Sequence, residues 1–128
     1  MRVRKPMNHQ GRMLIVDREP MWRAFVVEAL QASGYSVHLA SDAQTTLREI
    51  RDDNFDLIII DASLLQWLDA PTIEHLCHRL LVVTASPSVP EAIWVFRQGV
   101  VDYISKAFDA SVLLMSVAAA IRKQPVTQ

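Results

Sequence analysis

The sequence predicts an α/β domain in which a strand–helix unit recurs five times around a parallel sheet. Three observations carry that prediction. Short apolar runs alternate with longer amphipathic stretches along the chain. The run Leu57-Ile58-Ile59-Ile60 is apolar without alternation, as a central parallel strand covered on both faces should be. Helix-capping residues and glycines stand at the joints between the runs. Such alternation implies right-handed crossovers with helices on both faces of the sheet, a doubly wound arrangement.

The elements follow in order. Residues 12–16 form the first apolar run, which ends at Asp17. Pro20 opens a helix to about Ser33, with Phe25, Val26, Ala29 and Leu30 on one face, and Gly34 closes it. Residues 35–39 alternate and read as a strand. Ser41-Asp42 caps a second helix with Ala43, Leu47 and Ile50 inward, and Asp53-Asn54 ends it. The third strand is 57–60. Asp69 and Pro71 then start a helix to about His78, and 80–84 is another β-branched run. Ser88-Val89-Pro90-Glu91 has the form of a capping box and opens a fourth helix that ends at Gly99. Its inward set at helical spacing is Ala92, Ile93 and Phe96, which leaves Trp94 outward. Residues 100–104 form the fifth strand. Asp109 caps a last helix to about Lys123, and Pro125 ends it.

Composition narrows the function. A chain of 128 residues with 51% apolar and 21% charged residues is one globular domain, not a disordered segment. We expect the domain over 12–123, with a flexible basic arm over 1–11 (Arg2, Arg4, Lys5) and a tail over 124–128. Thirteen basic against fourteen acidic residues give a net charge of −1, which argues against bulk nucleic acid as a partner. The single cysteine, Cys77, excludes an internal disulfide and a cysteine-based zinc site. Met13-Leu14-Ile15-Val16 is too short for a signal peptide core, and the stretch 112–121 is too short for a membrane span. The expectation is a reduced, cytoplasmic protein with no membrane association. Within this chain a helix-turn-helix after the last helix is not expected, since only 124–128 follow it.

The strand ends carry the chemistry. In a parallel sheet of this kind, sites form at the carboxyl ends of the strands. Here those ends present Asp17, Asp61, Thr84 and the pair Ser105-Lys106. Two carboxylates, a hydroxyl and an ammonium on one rim suit phosphoryl handling. A carboxylate can be a nucleophile that forms an acyl phosphate, a lysine can neutralise the transferred charge, and a second carboxylate can help hold Mg²⁺.

Several segments together are similar to the receiver domain of bacterial response regulators. They are Leu14-Ile15-Val16-Asp17-Arg18-Glu19-Pro20, Ser33-Gly34-Tyr35-Ser36-Val37, Asp56-Leu57-Ile58-Ile59-Ile60-Asp61, Val82-Val83-Thr84-Ala85 and 99–108, which contains Tyr103 and Lys106. The resemblance implies a flavodoxin-like fold with strand order 2-1-3-4-5. It implies Asp61 as phosphoacceptor, Asp17 in the acidic pocket, Thr84 and Lys106 as phosphate contacts, and Tyr103 as the aromatic switch. It further implies Asp17, Asp61 and the Ser63 carbonyl as Mg²⁺ ligands, and a sensor histidine kinase or another signalling protein as partner. A homodimer through the face made by the fourth helix, fifth strand and last helix is a use of that fold.

Three departures from the pattern alter the expectation. Arg18 stands where the family has a second acid that ligates the metal. A guanidinium cannot ligate a cation, and two like charges 4 Å apart repel by about 4 kcal/mol at an effective dielectric of 20. Arg18 is expected either to pair with Asp61 as a built-in cation, the favoured reading, or to be a solvated loop residue. Glu19, one residue on, is expected to point elsewhere, or to substitute for the missing acid if the loop shifts. The loop after Asp61 lacks the family's usual residues and is rich in Leu64, Leu65 and Trp67, which suggests a contact surface or a plug in the emptied metal site. Ala107 replaces a proline usually preceded by a cis bond, so Lys106 is expected on a trans bond and to reach differently.

The function expected is therefore an atypical single-domain receiver acting as a signalling interaction module, with phosphorylation of Asp61 weakened or absent. The alternative is an ordinary phosphoacceptor, favoured by the intact Asp61, Thr84 and Lys106. A hydrolase with an aspartate nucleophile would need a second acid where Ser63 stands, so enzymatic turnover is not expected. Trp94 is a candidate partner anchor, and Trp22 is expected to be partly buried. His75 and His78 lie three apart without a visible third ligand and read as a surface pair.

Overall fold

The computed structural model describes residues 11–52 and 54–124; the basic residues of the arm and Pro125 lie outside them. Five strands, β1 (Arg12–Val16), β2 (Ser36–Ala40), β3 (Leu57–Asp61), β4 (Leu80–Thr84) and β5 (Asp102–Ser105), form one parallel sheet in the order β2-β1-β3-β4-β5. Five α-helices connect and follow them: α1 (Pro20–Ala32), α2 (Ala43–Asp52), α3 (Ala70–Leu76), α4 (Val89–Arg97) and α5 (Ala110–Arg122). This is the doubly wound fold and the strand order that the resemblance implies. Among the described residues no helix is long and apolar enough to cross a membrane.

Alternation along the central strands sorts the core into two layers. Met13, Ile15, Leu57, Ile59, Leu81 and Val83 face α1 and α5, where they meet Trp22, Val26, Leu113 and Val117. Leu14, Val16, Ile58, Ile60, Leu80 and Val82 face the opposite layer with Leu76 of α3 and Val95 of α4. Because β1, β3 and β4 are covered on both sides, every one of these side chains is nearly inaccessible.

The capping expectations hold. Asp42, Asp69, Ser88 and Asp109 accept hydrogen bonds from Thr45, Thr72, Glu91 and Val112 N–H groups respectively. Gly34 and Gly99 take the positive φ that ends α1 and α4. Gly11, assigned to the arm, is tied into the sheet edge: its carbonyl accepts from Ser36 N–H at 2.9 Å. A Cβ there would lie 2.8 Å from Asp56 Oδ2, so glycine is required at that close approach.

Some expectations fail. The inward residue of α4 is Val95, with Ala92 half-buried, whereas Ile93 and Phe96 are exposed together with Trp94. Leu47 of α2 faces solvent, and Thr46 is the buried residue. Trp22 is fully buried, not partly. The apolar loop after Asp61 is not an outer surface. Residues Ala62–Trp67 form a 3₁₀ helix that drives Leu64 and Leu65 into the core.

That burial makes a test. Leu65→Ala should cost about 2–5 kcal/mol in denaturant unfolding, like any core leucine, although it lies between a strand and a helix. Leu47→Ala should change stability by less than about 0.5 kcal/mol.

Candidate functional site

Register brings the expected residues to one rim. Val16 of β1 lies beside Ile60 of β3, so Asp17 and Asp61 leave the sheet at the same level. Thr84 pairs with Ser105, which places Lys106 one residue beyond the end of β5. The Lys106 N–H continues the ladder by donating to the Thr84 carbonyl at 2.8 Å. Its side chain then turns over the rim, and the peptide bond to Ala107 is trans.

Lys106 is the centre of the site. Its Nζ lies 2.8 Å from Asp61 Oδ2, 2.9 Å from Asp17 Oδ2 and 3.0 Å from Glu19 Oε1. The Lys106 and Asp17 side chains are almost completely buried, and Asp61 keeps 17% exposure. Beneath the ammonium lies the ring of Trp22, 5.8 Å from Nζ. Phe108 meets Trp22 edge-on at 5.3 Å and extends the aromatic floor. A buried cation among three carboxylates and an aromatic face is favoured in its charged form.

The titration behaviour follows. Burial opposes ionisation of Lys106, but the hydrogen bonds it donates to Asp61, Asp17 and Glu19 outweigh it and raise its pKa far above the ordinary 10.5. For Asp61, burial acts to raise the pKa. Hydrogen bonds from Lys106 and Ser63 overcome that and hold it below the ordinary 3.8. The Asp61 contribution to stability is thus present above its ordinary value and lost as pH falls through the depressed one. The Lys106 contribution is present below 10.5 and lost only as pH climbs through the raised value.

The second oxygen of Asp61 is also engaged. Ser63 donates to Oδ1 through its N–H at 2.8 Å and its hydroxyl at 2.6 Å. The Ser63 carbonyl, expected as a metal ligand, instead accepts from Gln66 Nε2 at 3.0 Å. Arg18 does not pair with Asp61. Its guanidinium lies over the Trp67 ring, 5.8 Å from the centroid, because Lys106 already satisfies Asp61. Glu19 does not point elsewhere: its N–H closes a turn onto Asp17 Oδ1 at 2.9 Å, and its carboxylate joins Lys106.

A cavity of about 360 Å³ opens over these groups, lined by Asp17, Arg18, Glu19, Asp61, Ser63, Leu64, Ala85 and Lys106. Thr84 is buried just behind Ala85, and its hydroxyl accepts from Ser86 N–H at 3.2 Å. Tyr103 lies apart from the cavity. Its hydroxyl donates to Glu91 Oε1 at 2.6 Å and its ring meets Phe96 edge-on. Burial and then the Glu91 contact push the Tyr103 pKa up.

Mg²⁺ takes carboxylate oxygens and water in near-octahedral geometry. Here the carboxylates converge on an ammonium, the Ser63 carbonyl is taken, and a guanidinium follows Asp17. Among the described residues no group of three His, Cys, Asp or Glu is placed to hold a metal. The residues as arranged do not fit the ion. His75 and His78 likewise belong to no such group.

Sequence reasoning missed Glu19, Gln66 and the Trp22 floor. The signal for Glu19 was local: an aspartate at a strand end often accepts the N–H two residues on.

Residues 13–118 match the response regulator receiver domain family. The chain is 31% identical over 121 residues to the response regulator MprA of Mycolicibacterium vanbaalenii, covering 88% of this chain and 51% of that protein. It is 30% identical over 119 residues to the CAI-1 autoinducer sensor kinase/phosphatase CqsS of Vibrio cholerae, covering 87% and 17%. The chain thus spans about half or less of these relatives. Among solved structures, a putative response regulator from Chloroflexus aurantiacus superposes with a TM-score of 0.76 at 22% identity, over 88% of this chain and 98% of that one. A CheY-like receiver domain from Methanospirillum hungatei gives 0.74 at 24%, over 88% and 94%. At these identities the structural likenesses speak to the fold alone.

The central ion cluster yields a prediction. Lys106→Met should destabilise the protein by about 3–5 kcal/mol at neutral pH, because it strands buried charge at Asp17. The deficit should shrink as pH falls and the carboxylates take up protons. Urea unfolding of both proteins at several pH values measures it, and a deficit independent of pH would contradict the assignment.

Proposed function

The chain belongs to the response regulator receiver domain family, and from that premise we propose that it is a signalling interaction module in which Mg²⁺-dependent phosphorylation of Asp61 is weakened or absent. One observation carries the reading. The Lys106 ammonium gathers the carboxylates of Asp17, Glu19 and Asp61, while Arg18 stands where a metal-binding acid is expected. An acyl phosphate on Asp61 needs a free carboxylate oxygen and a cation to offset the incoming charge. Both Asp61 oxygens are engaged, and Lys106 is the cation at hand. In this reading Thr84 and Lys106 are the contacts a phosphoryl group would meet, and Tyr103 is the aromatic that reports on the pocket.

An ordinary phosphoacceptor is the second reading. It is favoured by the ionised, partly exposed Asp61 at the wall of an open cavity.

The module's output is binding, in the cytoplasm, to a sensor histidine kinase or another signalling protein. The surface offered is α4, where Val89, Ile93, Trp94 and Phe96 are all exposed. Clustered apolar side chains of this kind mark contact sites. A homodimer through α4, β5 and α5 would use the same face.

Two experiments decide. Intact mass after incubation with acetyl phosphate, with and without Mg²⁺, should show little or no phosphoryl adduct on the unmodified protein, whereas robust labelling would contradict the reading. A Mg²⁺-dependent adduct that disappears in Asp61→Asn would establish the second reading. Sedimentation across a concentration series should show self-association that Trp94→Ala weakens by about 2 kcal/mol. A monomer at all concentrations would remove the homodimer.

A further inference from the structure

The position that a divalent cation would need at Ser63 is turned over. In a 3₁₀ helix each carbonyl points along the axis towards the residue three ahead. Ser63 is the second residue of the helix Ala62–Trp67, so its carbonyl aims along that helix, where the Gln66 side-chain amide closes on it at 3.0 Å. The same turn puts the two donors of Ser63, the N–H and the hydroxyl, on Asp61 Oδ1. The residue thus presents hydrogens to the pocket and withholds its oxygen from a metal.

This helix is held from both sides. Leu64 and Leu65 are 1% and 0% exposed, so unwinding it empties part of the core. Trp67 packs against the same cluster and carries the Arg18 guanidinium on its face. The stack ties the segment after β1 to the segment after β3 across the mouth of the cavity, which both Arg18 and Ser63 line.

We infer that Gln66 holds the Ser63 carbonyl turned away from the pocket, and that Gln66 together with the Arg18–Trp67 stack closes this pocket to divalent cations. The inference rests on the reading that Mg²⁺-dependent phosphorylation is weakened, and it assigns the cause. The charge of Arg18 alone does not suffice, because the carbonyl stays occupied when that charge is removed.

Titration of the full chain with Mg²⁺ alone tests it, by calorimetry and by tryptophan fluorescence at constant ionic strength. The proteins are the unmodified chain, Arg18→Asp, Gln66→Ala, Arg18→Asp with Gln66→Ala, and Arg18→Asp with Gln66→Met, each checked for fold by circular dichroism. The unmodified chain and Gln66→Ala should show no saturable uptake, and Arg18→Asp weak uptake. Both double variants should bind about tenfold more tightly than Arg18→Asp, the gain one surrendered hydrogen bond supplies. The methionine version keeps the side chain's length and loses its donor without adding a charge, so it guards against a collapse of the alanine version. Double variants within about twofold of Arg18→Asp would overturn the role of Gln66 and leave the proposed function standing. Saturable uptake by Gln66→Ala alone would overturn the role of Arg18. Saturable uptake by the unmodified chain would overturn both the inference and the proposed function.

Discussion

The Lys106 ammonium is the point on which the site turns. It sits at hydrogen-bond distance from carboxylates that two stretches supply: Asp17 and Glu19 in the segment between β1 and α1, and Asp61 at the end of β3. Burying a lysine and an aspartate costs several kcal/mol per ion before their attraction returns any of it. A cluster of this kind is therefore weak evidence of stability and strong evidence of specified geometry. With Lys106 in place the two strand ends are drawn together, and Arg18, without a carboxylate partner among the described residues, settles on Trp67.

The aromatic floor supports the same arrangement. Trp22, Phe25 and Phe108 form a triangle with ring centroids 5.2–5.4 Å apart. Trp22 comes from α1 and Phe108 from the segment that follows Lys106, so the lysine is aimed by packing on both sides of it. The low polarity beneath the ammonium raises the strength of every ion pair above it.

The strand-end residues were legible in the sequence because a parallel sheet sends its ends to one rim, and the apolar runs show where each strand stops. Asp17, Asp61, Thr84 and Lys106 follow from that alone. Side-chain direction beyond the strand ends was not legible. It depends on turns of two or three residues: the turn that folds Glu19 back over Asp17, and the 3₁₀ helix that reverses Ser63. The phase of α4 was misread for a different reason. Residues 92, 93, 95 and 96 are all apolar, so two helical faces offer equal burial. The sheet takes Val95, and Ile93 and Phe96 are left outside. The apolar loop after Asp61 was read as a surface or plug, because nothing local shows that a 3₁₀ turn carries its leucines under the sheet edge.

The burial of Leu64 and Leu65 gives the two walls of the cavity unequal compliance. The wall after β3 is continuous with the core, and its local opening costs nearly as much as unfolding. The wall after β5 carries Lys106 on a segment whose Phe108 is half in solvent. Asp61 thus stands on the stiff wall of the cavity, and Lys106 on the wall with more solvent behind it.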